Sequence, residues 1–169
     1  MLKEVILGID PGFGRTGWGV IEKVAGEWLA VAWGCIETSA KDPFANRLCE
    51  LHEELKLIIK KYKPTIVAVE DLFFAKNVKT AMKVGQARGA ILLTIKEFGL
   101  PLYEFTPLQI KQAITGYGRA EKRQMQKMVG MLLKIKTKIT PDDAADALAA
   151  ALTGGVSAGF YRAVEKEGG

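Results

Sequence analysis

The sequence contains few of the residues that build zinc sites or disulfide frameworks. It has two cysteines, Cys35 and Cys49, and one histidine, His52. The cysteine spacing matches no metal motif and is typical of a reduced cytosolic protein, so we expect a cytoplasmic location and give these residues no role. No apolar run approaches the roughly 20 residues of a membrane-spanning helix, so we expect no membrane contact. Lys3 and Glu4 interrupt the segment that a signal peptide would occupy.

Low-complexity segments and internal repeats are also missing, and the remaining composition is that of a globular domain. The chain has 169 residues, of which 49% are hydrophobic. This length is typical of one domain with a single sizeable core. We expect that domain to cover residues 1–157 and to be followed by a flexible C-terminal tail over residues 158–169.

Basic residues are concentrated in one segment, between Pro107 and Lys138. Eight basic residues and one acidic residue, Glu121, lie there, which gives the segment a net charge of +7 although the whole chain carries +5. A solvated helix face is the usual meaning of such a run. The near absence of compensating acids favours a bound polyanion, and nucleic acid in particular.

The hydrophobic pattern predicts an α/β fold with a mixed five-stranded sheet. The predicted strands cover residues 4–10, 17–24, 27–38, 65–70 and 102–105. The predicted helices cover residues 43–62, 77–98, 107–116, 120–134 and 141–153, and Gly154-Gly155 is expected to end the last one. Short turns join the first three strands, which predicts an antiparallel meander, whereas helical crossovers predict two parallel strands. Helices should then cover both faces of the sheet.

Four acidic residues stand where these elements begin or end. Asp10 and Glu70 each end an apolar strand, and because these strands should be parallel neighbours, their side chains can converge. Asp143 and Asp146 lie three residues apart at the start of the last helix, on one face. Four carboxylates in one pocket repel each other unless cations are present, and Mg²⁺ prefers oxygen ligands. The pattern predicts a nuclease site in which two Mg²⁺ ions clamp a phosphodiester.

Spacing alone leaves two of these assignments open. Asp71 competes with Glu70, because alternation places only one of the pair on a given face of the sheet. Asp142 competes with Asp143, because it lies four residues before Asp146 and because both are favourable at a helix N-terminus. For any single acid, a structural role explains its position about as well as metal binding does.

Two adjacent phenylalanines follow Glu70. Phe73 and Phe74 cannot both point inward in an extended segment, and Lys76 lies just beyond them. An exposed aromatic ring beside a basic residue can stack on an unpaired base. The alternative is that both rings pack under the following helix.

Three basic residues complete the set of candidate DNA contacts. Lys111 and Lys122 lie on either side of a flexible glycine-containing joint, where both can hold backbone phosphates beside the acidic pocket. Arg88 lies within the long middle helix, where it faces either a partner helix or the DNA.

Short motifs occur in one order over residues 4–153. They are Ile6-Leu7-Gly8-Ile9-Asp10-Pro11-Gly12, Val69-Glu70, Phe73-Phe74-Ala75-Lys76-Asn77, Gly85-Gln86-Ala87-Arg88-Gly89, Ile110-Lys111-Gln112, Ala120-Glu121-Lys122 and Asp143-Ala144-Ala145-Asp146-Ala147-Leu148-Ala149. Each motif alone is weak, but the ordered set resembles the RuvC family, the bacterial Holliday-junction resolvases.

The resemblance implies a ribonuclease-H-like fold and a homodimer with Mg²⁺- or Mn²⁺-dependent endonuclease activity in DNA recombination and repair. Members of this family nick two opposing strands of a four-way DNA junction symmetrically. The nicks carry ligatable 5′-phosphate and 3′-hydroxyl ends. Family partners are the branch-migration proteins RuvA and RuvB. The helix over residues 78–98 is the expected dimer interface.

The resemblance also implies roles for particular residues. It places the four catalytic acids at Asp10, Glu70, Asp143 and Asp146, and so selects Asp143 over Asp142 by analogy. The family's DNA contacts fall on Phe73, Lys111 and Lys122.

Other functional classes are less consistent with the chain. A nucleotide-binding ATPase of the actin and sugar-kinase type opens with a similar turn but needs two such domains, for which the chain is too short. A nuclease of the same fold that acts on ribosomal RNA precursors would prefer RNA to branched DNA. A DNA-binding module without catalysis would not need the complete acidic set.

Overall fold

The structure, a computed structural model, describes residues 3–71 and 78–167, with side chains as far as residue 158. Its strands are β1 (Val5–Asp10), β2 (Arg15–Val24), β3 (Glu27–Glu37), β4 (Ile66–Glu70) and β5 (Leu102–Phe105). Its helices are α1 (Phe44–Tyr62), α2 (Val78–Glu97), α3 (Pro107–Thr115), α4 (Lys122–Leu132) and α5 (Asp142–Glu167). The predicted elements are all present in their predicted order.

The five strands form one mixed sheet in the order β3-β2-β1-β4-β5. The pairs β1–β2 and β2–β3 are antiparallel, and the pairs β1–β4 and β4–β5 are parallel. The predicted sheet is therefore confirmed. Its topology puts β1 in the centre and brings the C-terminal ends of β1 and β4 to the same edge.

Side-chain alternation divides the sheet between two cores. On β1, the buried residues Val5, Leu7 and Ile9 pack in the core that includes α1 and α2. Ile6 lies on the opposite face, in the core that includes α3, α4 and α5. Helices therefore cover both faces, as predicted, and the two-residue period of a strand places Asp10 on the α5 side together with Ile6.

Helix α5 approaches the centre of the sheet very closely because β1 and β2 present glycines to it. A Cβ atom on Gly8 would lie 1.9 Å from the carbonyl oxygen of Ala147, and one on Gly17 would lie 2.0 Å from the carbonyl oxygen of Asp143. Ala147 itself is fully buried in this contact. We call this contact the glycine seam, and it sets the start of α5 against the end of β1.

The prediction that Gly154-Gly155 ends the last helix is wrong, because α5 continues to Glu167. Both glycines instead lie within the helix and allow it to pack closely against the sheet. A Cβ atom on Gly154 would lie 2.9 Å from the Cβ atom of Ala68, and one on Gly155 would lie 2.7 Å from the ring of Trp28. The division into a domain of residues 1–157 and a flexible tail of residues 158–169 stays a prediction.

The helices were also compared with the dimensions of a lipid bilayer. Over residues 3–71 and 78–167, no helix combines the length and the apolar character needed to cross a membrane.

Candidate active site

The site is built around two carboxyl groups at the ends of neighbouring strands. Ile9 of β1 pairs with Val69 of β4, so the next residues, Asp10 and Glu70, lie side by side. Their side chains share a hydrogen bond in which the protonated carboxyl of Asp10 donates to Glu70. The predicted convergence of these two acids is present in the structure.

The electrostatics of this pair show that negative charge is in excess. Burial, together with the nearby charges of Glu70, Asp146 and Asp143, raises the pKa of Asp10 to about 9. Burial also raises the pKa of Glu70, although its hydrogen bond with Asp10 opposes that shift. The pocket therefore holds a proton on Asp10 at neutral pH unless a cation replaces it.

Helix α5 brings two more acids to this pair. Asp143 and Asp146 lie in its first turns, within the glycine seam, and both raise the pKa of Asp10. The pKa of Asp146 is itself raised, mainly by burial. The four predicted acids thus form one interacting cluster, which we call the acidic cluster.

Lys122 is one of two cations that hold this cluster together. Its Nζ donates to Oδ2 of Asp146 at 3.1 Å and lies 4.0 Å from Oδ2 of Asp142. Although burial lowers the pKa of Lys122, the hydrogen bond to Asp146 raises it, and the net shift is upward. Lys122 therefore acts as an internal counterion at the position where the sequence predicts a phosphate contact.

Arg15 is the second cation, and the sequence did not indicate its role. Its Nε donates to Oδ2 of Asp143 at 3.0 Å, and its guanidinium lies 3.5 Å from Oε1 of Glu37. The available signal was a lone arginine in the glycine-rich turn after β1. Arg15 on β2 pairs with Glu37 on β3, and this strand pairing fixes Arg15 beside α5.

A cavity of about 260 Å³ opens beside Glu70 and Asp146. Lys111 of α3 and Lys122 of α4 line it, and its apolar wall includes Met125. The charges of both lysines lower the pKa of Glu70, which burial raises. The two lysines that were predicted to hold phosphates thus stand at the edge of the acidic cluster, in a space open to a polyanion.

The two ambiguities left by the sequence are resolved by side-chain position. Asp71 lies away from the cluster, where its Oδ1 accepts from the guanidinium of Arg88 at 3.1 Å. The side chain of Asp142 is 59% exposed, against 33% for Asp143, and the charge of Asp143 is among the main causes of the raised pKa of Asp10, whereas that of Asp142 is not. Glu70 and Asp143 are therefore the members of each pair that join the cluster.

Of the remaining predicted DNA contacts, only Arg88 lies within the described residues. Arg88 is 19% exposed at its side chain and also pairs with Glu104 at 2.9 Å, so it is directed into the protein. Its role in DNA binding stays a prediction. Phe73, Phe74 and Lys76 lie outside the described residues.

The donor set of the acidic cluster fits a divalent cation in chemistry. Four carboxyl groups supply the oxygen ligands that Mg²⁺ prefers, and their excess charge is offset here by a proton, by Lys122 and Arg15, and by the nearby charge of Lys111. Within the described part of the chain, no three acidic, histidine or cysteine side chains are grouped closely enough to enclose a metal ion. Asp143 and Asp146 are turned towards their basic partners, so cation binding has to compete with these two pairs.

Comparison with known proteins places the chain in a family. A family model described as crossover junction endodeoxyribonuclease RuvC matches residues 6–154. The chain belongs to the RuvC family. A RuvC crossover junction endodeoxyribonuclease from Petrotoga mobilis is 54% identical over 151 residues, which cover 89% of this chain and 93% of the relative. The RuvC of a Roseiflexus species is 49% identical over 160 residues, which cover 95% of both chains.

A solved structure of the RuvC family shares the fold. Thermus thermophilus RuvC in complex with a Holliday junction substrate is 38% identical to this chain and superimposes with a TM-score of 0.84. The alignment covers 89% of this chain and 92% of the Thermus chain. The ribonuclease-H-like fold that the resemblance implied is thereby confirmed.

Proposed function

We propose that this chain is an endodeoxyribonuclease that resolves four-way DNA junctions in recombination and repair. The observation that carries the proposal is the acidic cluster, in which four carboxyl groups from β1, β4 and α5 meet beside a cavity lined by two lysines. Membership of the RuvC family supports the substrate. The nearby excess of negative charge would repel DNA, so a cation is required before a phosphodiester can approach.

In this proposal Asp10, Glu70, Asp143 and Asp146 hold Mg²⁺, two ions per site, and Mn²⁺ can substitute. Bound Mg²⁺ supplies positive charge that polarises a phosphodiester and activates water for attack. Asp10, on the central strand β1, would be a ligand of both ions. For this it must lose the proton that it donates to Glu70 in the metal-free site.

The lysines of the cavity position the DNA strand. Lys111 and Lys122 hold the phosphates that flank the cut, and Lys122 releases Asp146 when it does so. Phe73 stacks at the opened crossover, with Phe74, Lys76 and Arg88 as further contacts. Hydrolysis leaves a 5′-phosphate and a 3′-hydroxyl that a ligase can seal.

The second part of the proposal is that the active form is a homodimer whose interface is α2. Met82 and Leu93 are 63% and 62% exposed on this helix. Between them, Cβ atoms on Gly85 and Gly89 would meet nothing within 4 Å. A second copy of the helix can pack closely against such a face. A two-fold dimer presents two equal sites to a junction that has two-fold symmetry. RuvA and RuvB are the proposed partners, by family resemblance.

Cleavage of a synthetic junction tests this function. The purified chain is incubated with an end-labelled four-way junction or a matched linear duplex in Mg²⁺, with EDTA as a control. We expect paired nicks on opposing strands of the junction that ligase reseals, and no cleavage of the duplex or in EDTA.

The variant Asp10→Asn tests the role of the acidic cluster in the same assay. It should abolish cleavage yet keep junction binding, because removing a negative charge does not weaken attraction to DNA. Wild-type activity of this variant would refute the metal-binding role. Preferential cleavage of structured RNA would instead favour a ribonuclease of the same fold.

A further inference from the structure

A second concave surface lies outside the acidic cluster, between α4 and the segment over residues 133–139. Its volume is about 400 Å³. Four basic residues line it, Arg123 and Lys127 from α4 and Lys136 and Lys138 from the following segment. Neither acidic nor aromatic side chains occur among the residues that line it. We call this surface the basic concavity.

The chain path shows that the concavity is a built feature of the fold. Lys134 adopts a left-handed backbone conformation just after α4, and the amide of Ile135 donates to the carbonyl oxygen of Gly130 at 2.8 Å. This turns the chain back alongside the helix. Leu133 and Ile139 are 2% and 5% exposed and anchor the segment in the core. The lysines between them are therefore held beside α4.

Among the described side chains, the charge of the concavity is not compensated by ion pairs. The adjacent Lys134 forms an ion pair with Glu27. Across residues 3–71 and 78–158, by contrast, none of the four basic residues of the concavity forms a salt bridge. Uncompensated cations in a concave surface favour an anionic ligand.

The length of α4 along the basic concavity suits contact with consecutive phosphates of one DNA strand. Residues 123 to 131 span about 12 Å along α4, at 1.5 Å per residue. A DNA duplex advances about 3.4 Å per phosphate of one strand, so roughly three phosphates fit beside this helix. Lys122, which begins the same helix, already lies in the cavity of the acidic cluster. Helix α4 thus connects the site of cleavage with the basic concavity.

We propose that the basic concavity binds the phosphate backbone of a duplex arm of the junction, away from the cut. The inference rests on the proposed function for the identity of the DNA. Duplex rather than single-stranded DNA is favoured because the lining residues offer no aromatic ring for base stacking. The contact is therefore independent of sequence and acts through charge.

The test is the salt dependence of binding to a long-armed junction, measured in EDTA so that cleavage is prevented. The variant combines Lys127→Ala, Lys136→Ala and Lys138→Ala. Each lost phosphate contact lowers the slope of log affinity against log salt concentration by about 0.9, so the expected decrease is about 2 to 3. At moderate salt, junction affinity should fall at least roughly tenfold.

Three controls make the result specific. The arginine version, with Lys127→Arg, Lys136→Arg and Lys138→Arg, should bind as wild type does. Removal of three exposed lysines on the α1 side of the sheet, Lys41, Lys60 and Lys61, should leave the slope closer to wild type. A thermal melt of each variant shows that it is folded.

The outcomes separate this inference from the proposed function. If the alanine variant and the α1-side control have the same slope and affinity, the basic concavity is not a DNA site. An equal loss on a single-stranded oligonucleotide would overturn the assignment to a duplex arm. If the wild type binds the junction but does not cut it in Mg²⁺ or Mn²⁺, the proposed function fails, whereas the comparison of slopes still decides the inference.

Discussion

Asp10 is the residue at which folding and function conflict most directly. Burial and the neighbouring carboxylate charges together raise its pKa to about 9, so the folded, metal-free chain retains a proton that an unfolded aspartate releases near its ordinary value of 3.8. A raised pKa in the folded state contributes stability that is complete below about pH 4 and is lost as the pH rises towards 9. The metal-free protein should therefore lose stability through the neutral range.

Asp10→Asn should remove this loss. In EDTA at pH 8 we expect the variant to be more stable than the wild type by on the order of 2 kcal/mol, or about 4–8 °C in melting temperature. Its advantage should shrink towards pH 5. Thermal melts at several pH values in EDTA measure this difference.

Two comparisons complete that experiment. Asp42→Asn changes an exposed acid outside the cluster and should have little effect on the melting temperature. Mg²⁺ should raise the melting temperature of the wild type more than that of Asp10→Asn, because a ligand stabilises the state that binds it. Equal pH profiles of the wild type and Asp10→Asn would contradict the electrostatic account.

At the scale of single residues, the spacing predicted which acids could join a metal site. It did not predict which member of each adjacent pair joins the acidic cluster. Strand alternation allowed either Glu70 or Asp71, and the pairing of Asp71 with Arg88 across the fold decides between them. The partnership of Arg15 with Asp143 joins residues far apart in the chain. Local patterns carry no information about such contacts, so spacing alone could not reveal them.

At the scale of elements, the glycine seam determines where α5 lies. Gly8→Ala would place a Cβ atom 1.9 Å from a backbone oxygen of α5, so the helix must move. We expect a loss of about 3 kcal/mol in the free energy of unfolding, together with reduced cleavage, because Asp143 and Asp146 move with the helix. Urea denaturation and the junction assay measure the two effects.

Gly130→Ala in α4 is the matched control for that change. A Cβ atom there would come no closer than 3.8 Å to its nearest neighbour. Since alanine is the better helix former, this variant should gain about 0.5–1 kcal/mol. A Gly8→Ala protein as stable as the wild type would show that the seam does not set the helix position.

The elements themselves were largely predictable because their hydrophobic periods are clear. The apolar run of β1, the alternation in β2 and the helical spacing of Leu51, Leu55 and Ile58 in α1 are local signals, and the structure confirms these elements. The end of α5 was not predictable in this way. A glycine pair has the same local appearance whether it stops a helix or allows Ala68 and Trp28 to approach it.

At the scale of the whole molecule, the proposed dimer predicts that two cuts are coordinated. Leu93→Asp places a charge on the exposed face of α2 and should produce a monomer, because an interface does not accommodate an unpaired charge. Light scattering measures the mass in solution. On a four-way junction, the variant should give single nicks rather than paired nicks on opposing strands.

Leu57→Asp serves as the control for that variant. Leu57 lies on α1 and is 59% exposed, close to the 62% of Leu93. The control should keep the oligomeric state and the paired nicks of the wild type. If Leu93→Asp has the same mass as Leu57→Asp, α2 is not the interface.

The position of α5 has a consequence for how the protein is made. Asp10 lies on β1 and therefore leaves the ribosome before Asp143 and Asp146, which lie on α5, the helix that packs across β1, β2 and β4. A chain that stops before α5 contains Asp10 and Glu70 but lacks half of the acidic cluster and the helix that buries it. We therefore expect incomplete products of translation to lack nuclease activity, which should appear only once α5 has packed on the sheet.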